Sequence, residues 1–173
     1  MAVDMFLEFD SKSNIVGESI DKSHPKTLQI DSFSFGAELP ASAEQGTGLG
    51  AGKVKFNEFT FKMKSSLASA SCFKNMYLGT HIPGATLYLR KAGGGSSGKS
   101  QKDYMIFKFK ELLVTKYSID GGSEDPVEDV AFAYTGLYVQ YNQQNQDGSL
   151  GDKRDAGWNV KENDEWLGSG VKP

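Results

Sequence analysis

The residues Gly93-Gly94-Gly95-Ser96-Ser97-Gly98-Lys99-Ser100 complete the pattern G-x-x-x-x-G-K-[S/T]. That spacing cradles phosphates when backbone N–H groups line the loop, a lysine neutralises charge and a helix N-terminus follows. A strand ending at Lys91 precedes the match, but Gln101 to Lys110 alternates rather than spirals. No apolar run ending in Asp offers a magnesium partner, and the chain lacks the alternating βα units of a parallel sheet. The context therefore predicts a flexible Gly/Ser hairpin loop. A nucleotide-binding enzyme built on Gly93–Ser100 stands as a rival, testable by ATP binding with and without Lys99→Ala.

Other chemistry-bearing residues are sparse. His24 and His81 are the two histidines, and neither has a His or Cys at metal-ligand spacing. With no triad that the sequence assembles, both are expected in surface turns. Asp120, Glu124, Asp125, Glu128 and Asp129 supply the oxygen ligands calcium prefers, but not at EF-hand spacing, so a solvated acidic loop is expected. Cys72 is the single cysteine, which rules out an intrachain disulfide and suits a small buried hydrophobe. These residues predict no catalytic group, no cofactor and no metal.

What must position such residues is β-structure. A chain of 173 residues with 12% aromatics and twenty glycines reads as one β-rich domain with many turns. A net charge of −3 argues against nucleic acid. No run approaches a membrane span, and Met1-Ala2-Val3-Asp4 opens without a basic or long apolar leader. The expectation is synthesis in the cytoplasm without a signal peptide, and no membrane insertion.

Two aromatic strands organise the chain. Leu28 to Phe35 alternates, slipping by one residue at Asp31-Ser32; Lys53 to Met63 slips at Asn57-Glu58. A third, Val127 to Tyr141, slips near Thr135-Gly136. Such slips read as bulges in strongly curved sheets. Val3 to Phe9 is a short strand with apolar residues on both faces, and Ala85 to Lys91 alternates. Asp103 to Ile119 reads as two short strands or one long bent one. The convincing helix spans about Ser66–Leu78, with Ser66 or Ser69 as N-cap, Gly79 as its stop, and Ala70, Phe73, Met76 and Tyr77 at helical spacing. Between the first two strands, Gly36–Gly52 reads as a long structureless loop, which suggests a contact with another copy. Ser34 faces away from Phe33 and Phe35, on a polar surface that would line a channel if the protein formed rings. After about residue 142 the chain is a polar tail, expected to be partly mobile with Trp158 tucked against the body.

The chain resembles the haemolysin-coregulated proteins (Hcp) of bacterial type VI secretion. The resemblance rests on the order of Met1-Ala2-Val3-Asp4-Met5-Phe6, Gly17-Glu18-Ser19, Asp21-Lys22-Ser23-His24, Phe33-Ser34-Phe35-Gly36, Ala51-Gly52-Lys53-Val54, Lys91-Ala92-Gly93-Gly94 and Gly157-Trp158-Asn159. It implies a small β-barrel of two curved, mostly antiparallel sheets with one short helix alongside, forming a single domain over residues 1–173. It implies a non-enzymatic subunit of the secretion tube, in hexameric rings that stack, are propelled by a sheath with a spike, and hold small effector proteins in the lumen. Gly36, Leu39, Pro40, Gly46, Gly48, Leu49 and Gly50 would then contact neighbouring subunits and rings, and Ser34, with Ser32 second to it, would face the lumen. A bacteriophage tail-tube protein, which shares the architecture, is the alternative. The loop at Gly93–Lys102 is longer than the family pattern.

Overall fold

The computed structural model describes residues 3–44, 48–91, 102–122, 124–145 and 149–171. The strands, in chain order, are β1 (Val3–Phe9), β2 (Leu28–Gln29), β3 (Ser32–Ser34), β4 (Ala37–Glu38), β5 (Ala41–Glu44), β6 (Gly48–Ala51), β7 (Lys55–Phe56) and β8 (Phe59–Lys64). Helix α1 (Ala68–Leu78) follows, then β9 (Ile82–Lys91), β10 (Asp103–Asp120), β11 (Val127–Gln144), β12 (Leu150–Asn159) and β13 (Asp164–Glu165).

Antiparallel pairing runs β2-β1-β9-β10-β11 and on to β12 and β13, while β11 also pairs β8, and β8 pairs β3. Strands β2 and β3 belong to one extended segment. Its Ile30 N–H donates to Met5 O on one side, and its Asp31 N–H donates to Lys62 O on the other. The pairing path thus returns on itself through this segment, which is the two-sheet barrel the resemblance implies.

The phase slips mark where strands change partners. At Ile30-Asp31 the segment passes from β1 to β8. At Thr135 strand β11 passes from β8, paired through Phe132, to β12, paired from Gly136. At Asn57-Glu58 the chain passes from β7, paired with β4, to β8. The ambiguous stretch is one 18-residue strand, β10, bent by a bulge between Val114 and Lys116 and by a left-handed Glu111 (φ 48°).

Inside lies a phenylalanine core. Phe59, Phe61, Phe109 and Phe132 are fully buried. The Phe59 ring sits 4.7 Å from Phe109 and 4.9 Å from Phe132, while Phe109 meets Phe132 edge-on at 5.2 Å. Tilted and edge-on rings satisfy the aromatic quadrupole while filling the space.

Three regions differ from expectation. The Gly36–Gly52 stretch is a projecting hairpin rather than structureless: β4 pairs β7, and β5 pairs β6. Gly, Ala and Ser carry no alternation to read, yet their backbone groups pair all the same. Helix α1 begins at Ala68, two residues later than expected, with Ser66 Oγ accepting from Ala68 N and Ser69 Oγ from Ser66 N. It stops at Gly79, which takes the left-handed conformation (φ 59°). The stretch beyond residue 142 carries β12, whose residues 151–156 are exposed on both faces and so show no apolar period. Gly157 is required there, because a Cβ would stand 2.0 Å from Trp166 O. Trp166 is buried and donates to Ser169 O, while Trp158 is half-buried.

Candidate assembly surfaces

Four strands, β3-β8-β11-β10, turn their phenylalanines inward and a polar face outward. Register aligns Ser34 with Thr60, then Ala131, then Lys116; the next row is Ser32, Lys62, Asp129 and Ser118. Ser32, Ser34 and Lys62 are exposed, and Lys116 Nζ lies 3.0 Å from Asp129 Oδ2. The structure therefore brings Ser32 and Ser34 onto one open polar surface, as alternation required.

Neither margin of this face carries a further strand among the described residues, and helix α1 packs beside the β10 margin. Among the described residues β3 pairs only β8, and β10 beyond Leu112 pairs only β11. Each strand is antiparallel to the next, so β10 runs opposite to β3. Unpaired strand edges are templates for another strand.

The hairpin arm leaves the barrel beside the Ser34 end of the polar face. Asn57 N donates to Gly36 O and Gly52 N to Pro40 O, pinning the arm's base. Leu39 is exposed, and Gly48, Leu49 and Gly50 lie in β6. Gly46 lies outside the described residues. Leu39, Gly52, Lys53 and Val54 form, with Trp158 and Asn163, a groove of about 620 Å³.

His24 is not in a surface turn; it is 7% exposed. Its ring stacks on Phe6 at 4.8 Å and lies 4.4 Å from Tyr88, with Nε2 3.0 Å from both Asp103 carboxylate oxygens. Beside it Arg90, itself buried, makes a bidentate pair with Asp21 and lies over Phe6 at 4.9 Å. The Arg90 guanidinium, aided by the Ser23 and His24 backbone N–H groups, lowers the Asp21 carboxyl to about 2 against the penalty of burial. Burial, then the Glu8 charge, raises the Tyr88 phenol. Residues 14–27 thus form a strap clamped over the outside of β1 and β9. Sequence reasoning missed this cluster because its partners lie 69 to 80 positions apart; the one hint was the apolar Phe6 on the face opposite Leu7 and Phe9. His81 is exposed.

The acidic stretch is not a single solvated loop. Glu128 is fully buried, accepting from Ser65 Oγ at 2.8 Å, while Asp129 faces outward. Burial, with a contribution from the Glu128 charge, pushes the Cys72 thiol up to about 12. Among the described residues no three His, Cys, Asp or Glu side chains could together hold a metal ion, and no helix is long and apolar enough to cross a membrane. The phosphate-loop match falls wholly within residues 92–101, outside the described residues, and strand β10 follows it where that chemistry needs a helix.

Fold and surfaces together define a class: a single-helix β-barrel with an open-edged polar sheet and a projecting hairpin. Residues 6–141 match the family model described as "Type VI secretion system effector, Hcp". The chain is 34% identical over 166 residues to protein hcp1 of Pseudomonas aeruginosa, covering 94% of this chain and 98% of that one. A solved type six secretion system protein superposes with a TM-score of 0.84 at 28% identity, covering 95% of this chain and 100% of the other. Hcp1 from Salmonella typhimurium superposes with a TM-score of 0.76, also at 28% identity, covering 96% and 100%. The chain belongs to the Hcp family of the type VI secretion system.

Proposed function

We propose that this chain is a non-enzymatic subunit of the secretion tube, six copies forming a ring and rings stacking into the tube. The observation that carries the reading is the four-stranded sheet with a polar outer face and two oppositely running edges that lack a strand partner among the described residues. A neighbour related by rotation about a channel axis presents its β3 antiparallel to the β10 of the first copy. Such a head-to-tail interface closes into a ring when its rotation per copy divides a full turn. The polar face, with Ser32 and Ser34, then lines the lumen, where small effector proteins ride. The arm, through Leu39, Pro40, Gly46, Gly48, Leu49 and Gly50, reaches neighbouring subunits and the next ring. Sheath and spike proteins are the further partners, and the ring leaves the cell through the type VI machine. Family membership favours this over the phage tail tube.

Light scattering on the purified chain, with negative-stain images of the same peak, tests the reading. A six-fold mass and ring-shaped particles are expected. A subunit mass at every concentration, with no rings in the images, would count against it. Deleting Gly46–Gly50 should weaken ring assembly or stacking while leaving the subunit folded.

A further inference from the structure

Helix α1 has two apolar sides. Ala68 and Cys72 are buried against the barrel, with Asn75 beside them donating to Ser13 O. On the far side Phe73, Tyr77 and Leu78 are 47%, 59% and 60% exposed, and Leu67, just before the helix, is 72% exposed. Lys74 is the one charged residue of the helix. A helix that stays on a soluble surface carries a polar outer stripe; this one carries aromatics. Of the eleven large apolar side chains exposed among the described residues, these four gather at one helix. That concentration marks a contact surface rather than scattered surface leucines.

The patch does not end at the helix. The Phe73 ring lies 5.3 Å from Tyr77 and 5.5 Å from Tyr117 of β10, and two residues further along β10 Ile119 is 52% exposed. This is the half of β10 whose outer edge lacks a strand partner among the described residues. An unpaired backbone edge flanked by exposed aromatics fits a partner that brings both a strand and an apolar flank. The chain's own second open edge, β3, is such a strand.

We infer that the Leu67–Phe73–Tyr77–Leu78 face, with Ile119, is covered by a second copy of this chain, the neighbour whose β3 edge meets β10. The inference rests on the ring reading above, and the test separates the two. Phe73→Ser/Tyr77→Ser removes the patch and leaves both edges.

Wild type is expected at the six-fold mass. The double variant is expected to need at least tenfold more protein to assemble, with far-UV circular dichroism and Tm unchanged. If the double variant assembles like wild type, the ring reading stands and the patch assignment is overturned. If the wild-type chain never assembles, both fall. A second readout does not rely on removing the aromatics. In a Lys74→Cys chain, alkylation should be at least tenfold slower in assembled rings than in dilute subunits. Cys72 is buried and its thiol pushed up to about 12, so it contributes little background. Equal alkylation in rings and subunits would overturn the inference even if the double variant fails to assemble.

Discussion

Two outward faces of the same barrel are treated in opposite ways. Outside β1 and β9, Phe6, Tyr88 and Arg90 point away from the core, yet all are buried, because residues 14–27 fold back over them. Residues 164–171 cover the neighbouring part of β10 and β11, with Trp166 against Gly136 and Lys108 Nζ donating to Val171 O. Outside β3 and β8, Ser32, Ser34 and Lys62 stand bare. The covered face carries rings and an ion pair that require a lid; the bare one carries hydroxyls and flexible charges that water solvates. The molecule thus spends its own chain on one face and leaves the other open, as a wall facing an aqueous channel would be.

The sharpest way to break the comparison is to remove what both faces share. Phe59→Ala empties the centre of the phenylalanine core and should cost ~3–5 kcal/mol. Denaturant unfolding should show a single transition moved to lower concentration, since both faces rest on that core. Next in size, Arg90→Met strips Asp21 of its partner under the strap. Removing one member of a fully buried pair costs ~3–5 kcal/mol. Asp21 keeps backbone bonds from Ser23 and His24 and some solvent contact, so about 2 kcal/mol is expected. Limited proteolysis within residues 14–27 should accelerate while the core strands stay protected.

Acid probes the same clamp. The Asp21 carboxyl lies at about 2 in the folded chain, below its ordinary 3.8. A lowered folded value means stability that is present above about pH 4 and lost as pH falls toward 2. The loss should amount to about 1–2 kcal/mol, allowing for partial exposure. Comparing Tm at pH 5 and pH 2 for wild type and Asp21→Asn checks it: the variant should lose less. An equal loss would place the acid sensitivity elsewhere.

The two faces also differ in how far they can be read from sequence. The bare one was legible: Ser34 opposed to Phe33 and Phe35 is a local, period-2 fact, and each slip in phase proved to be a strand changing partners. The covered one was not, because His24–Asp103 and Arg90–Asp21 join residues far apart in the chain, and a polar segment such as Ser11 to Pro25 gives no sign that it will act as a lid. Helix α1 was legible as a helix, but of its four residues at helical spacing Met76 packs against the core and the others are exposed. Small Ala68 and Cys72 let the helix lie close to the barrel beside Met76, and the Phe73 and Tyr77 rings turn outward. The arm escaped because glycine and alanine pair through backbone without leaving a side-chain pattern.

The smallest effect belongs to the bare face, and its smallness is the point. Lys116→Ala removes an ion pair whose partners are 53% and 28% exposed. Exposed pairs contribute ~0–1 kcal/mol, and replacing Ser32 or Ser34 with alanine stays within about 0.5 kcal/mol. A chain carrying Ser32→Ala, Ser34→Ala and Lys116→Ala together should melt within a few degrees of wild type and still form rings. No residue of the triple variant supports another element, and alanine keeps the β3 backbone able to pair at its edge. A large fall in Tm would mean that these side chains are buried by something in the isolated subunit, and the contrast between the two faces would fail. Unchanged melting and assembly, with altered retention of a small protein inside the ring, would place the chemistry of this face in the lumen rather than in the fold.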